Sequence, residues 1–344
     1  MNFYFKNVFI VAELSANHGG SLKTAIETVK AAKKAGADAI KLQTYTPDTM
    51  TINCDSKDFI VTGGSIWDGR TFYDLYREAY TPWDWHQELF RVAKEEGLIC
   101  FSTPFDKTAV DYLEKLDNPL YKIASFEITD IPLIKYIATK GKPVILSTGI
   151  ANEEDIRLAI KTLRDEGVKE IALLKCTSSY PAPLDQANLL MIKDFKKKFD
   201  VIPGLSDHTL GKIAPVVATT LGAKIIEKHF IIDKKIGGPD ASFSLNEFEF
   251  SKMVKAVRQA ELTIGEIDYN LTEKQKSSRA YSRSLYVVKD VKRGEILSTE
   301  NVKSIRPGFG LHPKQLGKVL GKKFNDNYKK GTRMSTSMIE NPNL

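Results

Sequence analysis

The stretch PVILSTGIANEEDIRLAIKTLRDEGVKEIALLKCT, residues 143–177, contains two short apolar runs separated by a longer amphipathic segment. The runs 143–148 and 170–177 are rich in Val, Ile and Leu, which is typical of buried strands. Between them, residues 153–166 place their apolar side chains at helical spacing, and Asn152 is positioned to cap this helix. A strand, a helix and a second strand in this order predict a βαβ unit with parallel strands.

The same alternation extends along the chain in both directions, with helical patterns such as 22–35 and 210–221 between further apolar runs. Eight strand–helix units predict an α/β fold, a (β/α)8 TIM barrel. An open doubly wound sheet is the alternative, but the chain has no obvious glycine-rich dinucleotide-binding motif. The eight runs are residues 8–13, 39–44, 98–103, 120–125, 143–148, 170–177, 201–206 and 223–230.

The pattern changes in the last quarter of the chain. We predict a barrel domain over residues 1–264, a linker rich in Lys, Ser and Thr over 265–282, and a small β-rich domain over 283–344. Short apolar runs at 284–288 and 301–306 predict strands in this last domain. About 60 residues form a marginal core alone, so we expect the domain to pack on the barrel or on a partner subunit.

Composition narrows the class of protein. The chain is 42% hydrophobic and 27% charged, which is ordinary for a globular protein. Its formal net charge of +7 favours anionic partners, but there is no nucleic-acid-binding motif and no basic stripe with interleaved aromatics. The three cysteines lack paired spacing, no signal-peptide pattern is present, and no stretch approaches the ~18 apolar residues of a membrane span. We therefore expect a cytoplasmic protein that binds neither nucleic acid nor a membrane.

Polar residues end or follow all eight predicted strands. The carboxyl ends of barrel strands meet at one rim, where active sites are built. A single polar residue at the end of a strand is usually there because it reaches solvent. Polar residues at the ends of all eight strands together predict a functional site. The candidates are Glu13, Lys41, Gln43, Ser102, Thr103, Lys122, Ser125, Glu127, Ser147, Thr148, Thr177, Ser178, Tyr180, Ser206, Asp207, His208, Lys228 and His229.

Two of these candidates, Lys41 and Lys122, lie in runs that are otherwise apolar. A lysine within a barrel strand either extends to solvent or faces an anion. Together with Ser125, Ser147 and Ser206, the two lysines suit a ligand that carries phosphate and carboxylate groups.

His208 and His229 end or follow consecutive predicted strands, so both imidazoles are expected to reach one cation. Imidazole with water and ligand oxygen suits Mn²⁺, Mg²⁺, Fe²⁺ or Zn²⁺. Glu13 or Asp240 is a candidate for an additional oxygen ligand. A lone histidine is more often structural, and for His86, at a predicted helix start, we expect a capping or packing role.

These residues lie in motifs similar to those of the N-acylneuraminate (sialic acid) synthase family, in order over nearly the whole chain. The tail from Ser284 to Gly310 resembles the antifreeze-like (SAF) domain of that family. The motifs are AELSANHGG (12–20), KLQT (41–44), FSTPF (101–105), KIASFE (122–127), LSTG (146–149), CTSSYP (176–181), GLSDHT (204–209), EKHF (227–230) and GPD (238–240).

The resemblance implies a TIM barrel and an antifreeze-like domain in a domain-swapped homodimer. The implied substrates are phosphoenolpyruvate and an acetamido sugar, and the implied cofactor is Mn²⁺ or Mg²⁺, with Co²⁺ as a third candidate, held by His208 and His229. The resemblance also assigns roles to single residues. The phosphoenolpyruvate-binding set of the family is matched by Lys41, Lys122, Ser125, Ser147 and Ser206, and Thr103 is a further substrate-binding candidate. Residues on the sugar or metal side are matched by Glu13, Gln43, Tyr180 and Asp240. Glu127 matches the general acid/base, and Arg306 matches an arginine that reaches into the partner's site. Glu13 and Lys122 are also candidates for catalysis.

Two features depart from the sialic acid synthases. Ser178 lies where they usually carry Asn, and the aromatic-rich insert 62–86 resembles instead the branch that makes pseudaminic acid. Flat rings at the rim fit a less polar, 6-deoxy acetamido sugar, although the same rings could simply pack a helix on the barrel.

For this branch the expected reaction condenses phosphoenolpyruvate with a 2,4-diacetamido-2,4,6-trideoxyhexose, with the metal as Lewis acid on the aldehyde and phosphate lost by C–O cleavage. The resemblance to this branch also implies a product used in flagellin glycosylation. The same chemistry on N-acetylmannosamine or on the legionaminic acid precursor is the alternative, and a carbohydrate-binding scaffold without turnover is the alternative that is not an enzyme.

Overall fold

The computed structural model describes residues 5–341. The chain divides into two compact units, Met1–Gly265 and Glu266–Leu344. The first unit contains eight parallel strands that pair in sequence order and close on themselves, so the predicted TIM barrel is confirmed. The strands are β1 (Phe9–Glu13), β2 (Ala39–Thr44), β3 (Ile99–Pro104), β4 (Tyr121–Ile123), β5 (Val144–Ser147), β6 (Ile171–Cys176), β7 (Ile202–Asp207) and β8 (Ile225–His229).

The helices of the barrel unit lie outside the strands, and several begin at residues with capping side chains. The Asn152 side chain accepts hydrogen bonds from the backbone N–H groups of Glu154 (2.8 Å) and Asp155 (3.0 Å), which confirms its predicted capping role. The helices are α1 (Leu22–Ala35), α2 (Pro47–Met50), α3 (Phe72–Ala79), α4 (Trp83–Glu95), α5 (Lys107–Glu114), α6 (Ile131–Ala138), α7 (Glu153–Asp165), α8 (Met191–Phe199), α9 (Ile213–Thr220) and α10 (Glu247–Ile264).

Strand alternation explains how the sequence positions its polar groups. The lower barrel interior is an apolar cluster that includes Val11, Ala39 and Ile225. Side chains two residues further along the same strands point to the same side. The next inward positions are therefore Glu13, Lys41 and Glu227, all of them polar and all buried.

The second unit has its own apolar core, which includes Leu285, Val302 and Phe324. Two of its strands, β9 (Ser284–Val287) and β10 (Val302–Ile305), pair antiparallel, and the helix α12 (Leu316–Val319) follows them. The predicted linker contains a short exposed helix, α11 (Glu273–Ser278), because Thr272 caps it: the Gln275 N–H donates to Thr272 Oγ1 at 3.3 Å. Within residues 5–341, no helix combines the length and the apolar character needed to cross a bilayer.

Candidate active site

A cavity of about 650 Å³ opens at the carboxyl ends of the barrel strands. Its lining comes from the strand ends and from the segment that follows β2. The structure brings twelve of the sequence-derived site candidates into this lining. Thr148, whose hydroxyl donates to the Leu174 carbonyl at 3.1 Å, and Thr177 do not line it, and the other candidates are described below. The twelve are Lys41, Gln43, Lys122, Ser125, Glu127, Ser147, Ser178, Tyr180, Ser206, His208, His229 and Asp240.

Both barrel lysines lie inside the cavity. Lys41 is 4% exposed and Lys122 is 2% exposed, so the alternative that they extend to solvent is wrong. Lys41 forms an ion pair with Glu13, and its ammonium group lies 3.4 Å from Thr103 Oγ1. Glu13 and Thr103 do not line the cavity themselves but contact it through Lys41.

Glu227 is a site residue that the sequence analysis did not single out. Its Oε1 accepts a hydrogen bond from Ser206 Oγ at 3.0 Å and lies 3.5 Å from Lys122 Nζ and 3.9 Å from Lys41 Nζ. Its Oε2 is buried without a hydrogen-bond partner. Strand periodicity could have found it, because Glu227 precedes the inward-facing His229 by two residues on β8.

The charges of this cluster are mutually dependent. Burial raises the pKa of Glu13 to about 7, against the opposing effect of Lys41. Burial also acts to raise the pKa of Glu227, but Lys122 and Lys41 outweigh it and hold that pKa below the ordinary value. Burial lowers the pKa of Lys122. With Glu13 protonated, two ammonium groups face one carboxylate, so the cluster keeps an excess positive charge that suits an anion.

Hydroxyl groups extend the anion site towards the loop that follows β5. The Gly149 N–H donates to Ser125 Oγ at 3.0 Å, and the buried hydroxyls of Ser147 and Ser178 lack a hydrogen-bond partner. A Cβ atom at residue 149 would lie 2.0 Å from Ser178 Oγ and 2.7 Å from Ser125 Oγ, so only glycine fits between these hydroxyls. Unpaired buried hydroxyls beside two ammonium groups fit the oxygens of a phosphate ester.

The two predicted metal ligands are neighbours, with 5.3 Å between the ring centroids of His208 and His229. His208 Nδ1–H donates to the Thr177 carbonyl at 3.0 Å, so in the neutral form of the ring Nε2 keeps a lone pair for a cation. Burial, and next the nearby His208, lower the pKa of His229 well below its ordinary value, so this imidazole is neutral. Its Nδ1 has no hydrogen-bond partner and lies 3.8 Å from Asp240 Oδ2.

This donor set fits a divalent cation that completes its coordination with water and substrate oxygens. Asp240, rather than Glu13, is the carboxylate beside the imidazoles, because Glu13 is paired with Lys41. Ser15 lies between the imidazole region and the lysine region of the cavity. Its hydroxyl donates to Asp240 and accepts from the Gln43 amide at 2.9 Å. In the described part of the chain, no group of three or more His, Cys, Asp and Glu side chains is arranged around one metal position.

The aromatic insert contributes rings both to the cavity lining and to packing on the barrel. Trp67 lines the cavity, and its ring packs on Tyr180 at 5.3 Å between centroids. Trp83 lies outside the cavity, stacks on Tyr112 at 4.9 Å and donates to the Tyr45 carbonyl at 3.0 Å.

His86, the histidine of the insert, has a packing role, which is one of the two roles expected for it. His86 is fully buried, and its Nε2 lies 2.8 Å from Thr44 Oγ1.

Three rim candidates face the outer side of the strands instead. Lys228 is ion-paired with Asp207, and Ser102 hydrogen-bonds to Thr44 at 2.7 Å. Because side chains alternate along a strand, these residues point opposite to their cavity-facing neighbours. Arg306 belongs to the second unit, where it follows β10.

Comparisons with known proteins agree with this architecture. The NeuB family model matches residues 28–269, and the SAF domain model matches residues 282–340. The pseudaminic acid synthase of Campylobacter jejuni subsp. jejuni serotype O:23/36 is 51% identical over 332 residues, which are 96% of each chain. The N,N'-diacetyllegionaminic acid synthase of Legionella pneumophila is 34% identical and covers 96% of this chain and 94% of its own.

A solved structure of a sialic acid synthetase matches this fold. The crystal structure of N-acetylneuraminic acid synthetase from Leptospira borgpetersenii, in complex with citrate, matches with a TM-score of 0.71 and 30% identity, over 79% of this chain and 90% of that chain. The family model covers most of the barrel, and the relatives match over nearly the full length. The chain therefore belongs to the NeuB family of sialic acid-type synthases and carries a SAF domain at its C-terminal end.

Proposed function

We propose that this enzyme condenses phosphoenolpyruvate with 2,4-diacetamido-2,4,6-trideoxy-β-L-altropyranose and water, and releases pseudaminic acid and phosphate by C–O cleavage. In this proposal it is a transferase. The observation that carries it is a single cavity in which two buried lysines and three serines adjoin two imidazoles and a carboxylate. The greater identity to a pseudaminic acid synthase than to a legionaminic acid synthase supports this sugar over its isomers.

In the proposed complex, phosphoenolpyruvate binds at the lysine and serine cluster. Lys41 and Lys122 supply charge, and the hydroxyls of Ser125 and Ser147 donate hydrogen bonds to its oxygens. The Ser206 hydroxyl would exchange its bond to Glu227 for one to a substrate oxygen. Each lysine is held in a buried position by a carboxylate in the ligand-free chain. Because the pKa of Glu13 is about 7, Glu13 can take up a proton as the anion enters and so relieve repulsion.

The sugar binds on the other side of the cavity in this proposal. Gln43, Tyr180 and Asp240 line that side and offer hydrogen bonds to hydroxyl and acetamido groups. His208 and His229 would hold the divalent cation, Mn²⁺, Mg²⁺ or Co²⁺, which polarises the aldehyde oxygen of the open-chain sugar when it is bound.

The bond changes balance without a further reactant. C3 of phosphoenolpyruvate attacks the aldehyde carbon, and the aldehyde oxygen becomes an alkoxide that takes up the proton released when water adds to C2. Water adds to C2 and gives up a proton to Glu127, which lines the cavity with an unpaired buried Oε2. The C2–O bond to phosphate then breaks, and phosphate departs with the bridging oxygen. The proton of the C2 hydroxyl passes to the departing phosphate as the ketone forms. Lys122 stabilises the charge that develops on the leaving group.

The pKa of Glu127 gives a pH dependence that can be tested. Burial raises this pKa to about 7, so the base form, and with it kcat/KM, is expected to increase as the pH rises through that value. The side chain's contribution to stability is complete below its ordinary pKa and is lost as pH rises through about 7. Glu127→Gln is expected to lower the rate by about 10²–10⁴-fold. Its unfolding free energy should also decrease less than the parent's as the pH rises from the ordinary pKa of a glutamate to about 7.

The matched control for this experiment is Glu154→Gln, at an exposed position on α7. It is expected to keep both the rate and the pH profile of the parent. A Glu127→Gln variant with the parent's rate and stability profile would show that Glu127 is not the base.

Phosphate release tests the proposed reaction directly. The enzyme with phosphoenolpyruvate and Mn²⁺ is given, in parallel, the 2,4-diacetamido-2,4,6-trideoxy-altrose sugar, the legionaminic acid precursor or N-acetylmannosamine. We expect the first sugar to give the highest kcat/KM, and ¹⁸O in the bridging position of phosphoenolpyruvate to appear in phosphate. A higher kcat/KM with another sugar overturns the substrate assignment, and no turnover with any sugar supports a binding scaffold instead.

We further propose that the chain acts in the cytoplasm, where phosphoenolpyruvate is made, as a domain-swapped homodimer in which Arg306 reaches the partner's cavity. The charge distribution supports this arrangement. Residues 266–344 contain sixteen Lys and Arg against eight Asp and Glu, whereas residues 1–265 contain thirty-four against thirty-five. All of the excess positive charge thus resides in the second unit, which suits the covering of an anion site.

Subunit complementation tests the swap. Arg306→Ala and Lys122→Met are each expected to be inactive as homodimers. Mixed one to one by refolding or co-expression, they should recover about a quarter of the wild-type sites, because half of the dimers are heterodimers and each of these has one intact composite site. A mixture without recovery would place Arg306 at the site of its own chain, and an active Arg306→Ala homodimer would place Arg306 outside any site.

A further inference from the structure

Helix α3 presents an apolar stripe to the cavity. Phe72, Leu75, Tyr76 and Ala79 all line it, and their spacing of three, four and seven residues places them on one helical face. Leu75 is 9% exposed, whereas the other three are partly open to the cavity or its mouth. The phenol oxygen of Tyr76 is the one polar side-chain atom of the stripe.

Neighbouring side chains hold this stripe in place. The ring of Tyr45 packs on Tyr76 at 5.7 Å and on Phe105 at 5.1 Å. Met50 and Val61 extend the apolar lining at its edges. The cavity therefore has two kinds of wall: charged and hydroxyl groups at the strand ends, and aliphatic or aromatic carbon along α3.

The two walls imply different ligand groups. Phosphoenolpyruvate carries phosphate, carboxylate and a small enol carbon unit, so it has no group that requires an extended apolar wall. The wall must then serve the second substrate. A hydroxyl placed against it would lose its hydrogen bonds to water without a replacement, whereas a methyl group would gain contacts and leave water.

We propose that the α3 stripe is the specificity-determining surface that receives the C6 methyl group of the sugar and so selects a 6-deoxy substrate over its 6-hydroxy counterpart. This inference rests on the proposed function, because it assigns one group of the proposed sugar to one wall of the cavity. Leu75 occupies the centre of the stripe and is its principal contact.

The experiment compares two sugars that differ only at C6: the 2,4-diacetamido-2,4,6-trideoxy-altrose sugar and the same sugar with a C6 hydroxyl. Leu75→Ala is expected to lower kcat/KM for the 6-deoxy sugar by about tenfold and to leave the value for the 6-hydroxy sugar nearly unchanged, so that the preference falls about tenfold. The control Arg77→Ala, on the exposed face of α3, is expected to keep the parent's preference.

Ala79→Ser provides a second test that requires no loss of core volume. The added hydroxyl is expected to raise the relative activity on the 6-hydroxy sugar by several-fold. An equal loss on both sugars in Leu75→Ala, together with an unchanged preference in Ala79→Ser, would overturn the inference. A parent enzyme without phosphate release on either sugar would instead refute the proposed function.

Discussion

Lys122→Met is expected to lower kcat/KM for phosphoenolpyruvate by about 10²–10³-fold, because it removes a fixed charge from a buried position where solvent screens it weakly. Lys122 is 2% exposed and lies 3.5 Å from Glu227. The loss should appear in both KM for phosphoenolpyruvate and kcat, since the charge that it stabilises is present in the substrate and increases as phosphate departs. Steady-state kinetics test this, with each substrate varied in turn and with the rate divided by the measured folded fraction of each protein.

Two further variants separate charge from folding. Lys122→Met leaves Glu227 less compensated, so the double variant Lys122→Met/Glu227→Gln is expected to regain stability but not phosphoenolpyruvate binding. Lys228→Met is the matched control: Lys228 is 1% exposed and ion-paired with Asp207 but does not line the cavity. It should lose stability yet keep kcat/KM per folded molecule. Equal catalytic loss in Lys122→Met and Lys228→Met would mean that Lys122 acts only through the fold.

His229→Ala is expected to abolish tight Mn²⁺ binding and to lower kcat by at least about 10²-fold, because it removes one of the two proposed imidazole ligands. Bound metal, measured by mass spectrometry after dialysis, should fall from about one equivalent per chain to near zero. Chelator treatment of the parent should give the same loss of activity, and added Mn²⁺ should restore the parent but not the variant.

The control for the metal site is another buried histidine. His86 hydrogen-bonds to Thr44 outside the cavity, so His86→Ala should be less stable but should retain its metal. A His229→Ala protein with a full equivalent of Mn²⁺, or a chelated parent with full activity, would contradict the assigned ligands or the role of the metal.

Much of the barrel could be predicted from the sequence because each strand–helix unit has local signals. The run that contains Lys122 is otherwise apolar, and a period of two determines which of its residues share a face. Glu227 was harder to identify, since it is followed directly by Lys228 and the two point to opposite sides. A period of two counted back from His229 assigns Glu227 to the inward face, and the register with β1, which pairs Glu13 with His229, agrees with it.

The path of the insert could not be predicted in the same way. Trp67 and Trp83 have similar surroundings in sequence, yet only the first lines the cavity, because the course of the chain over the barrel rim depends on long-range packing. Polar composition likewise does not distinguish a linker from an exposed helix, which is why α11 was not anticipated.

The central claim is that one cavity of the barrel holds an enol phosphate beside a metal ion. A crystal structure of the protein with phosphoenolpyruvate and Mn²⁺, with anomalous data collected at the manganese edge, tests it most directly. The anomalous peak is expected between the imidazoles of His208 and His229, and the phosphate is expected against Lys41 and Lys122. Manganese bound elsewhere, or phosphoenolpyruvate found outside this cavity, would contradict the account.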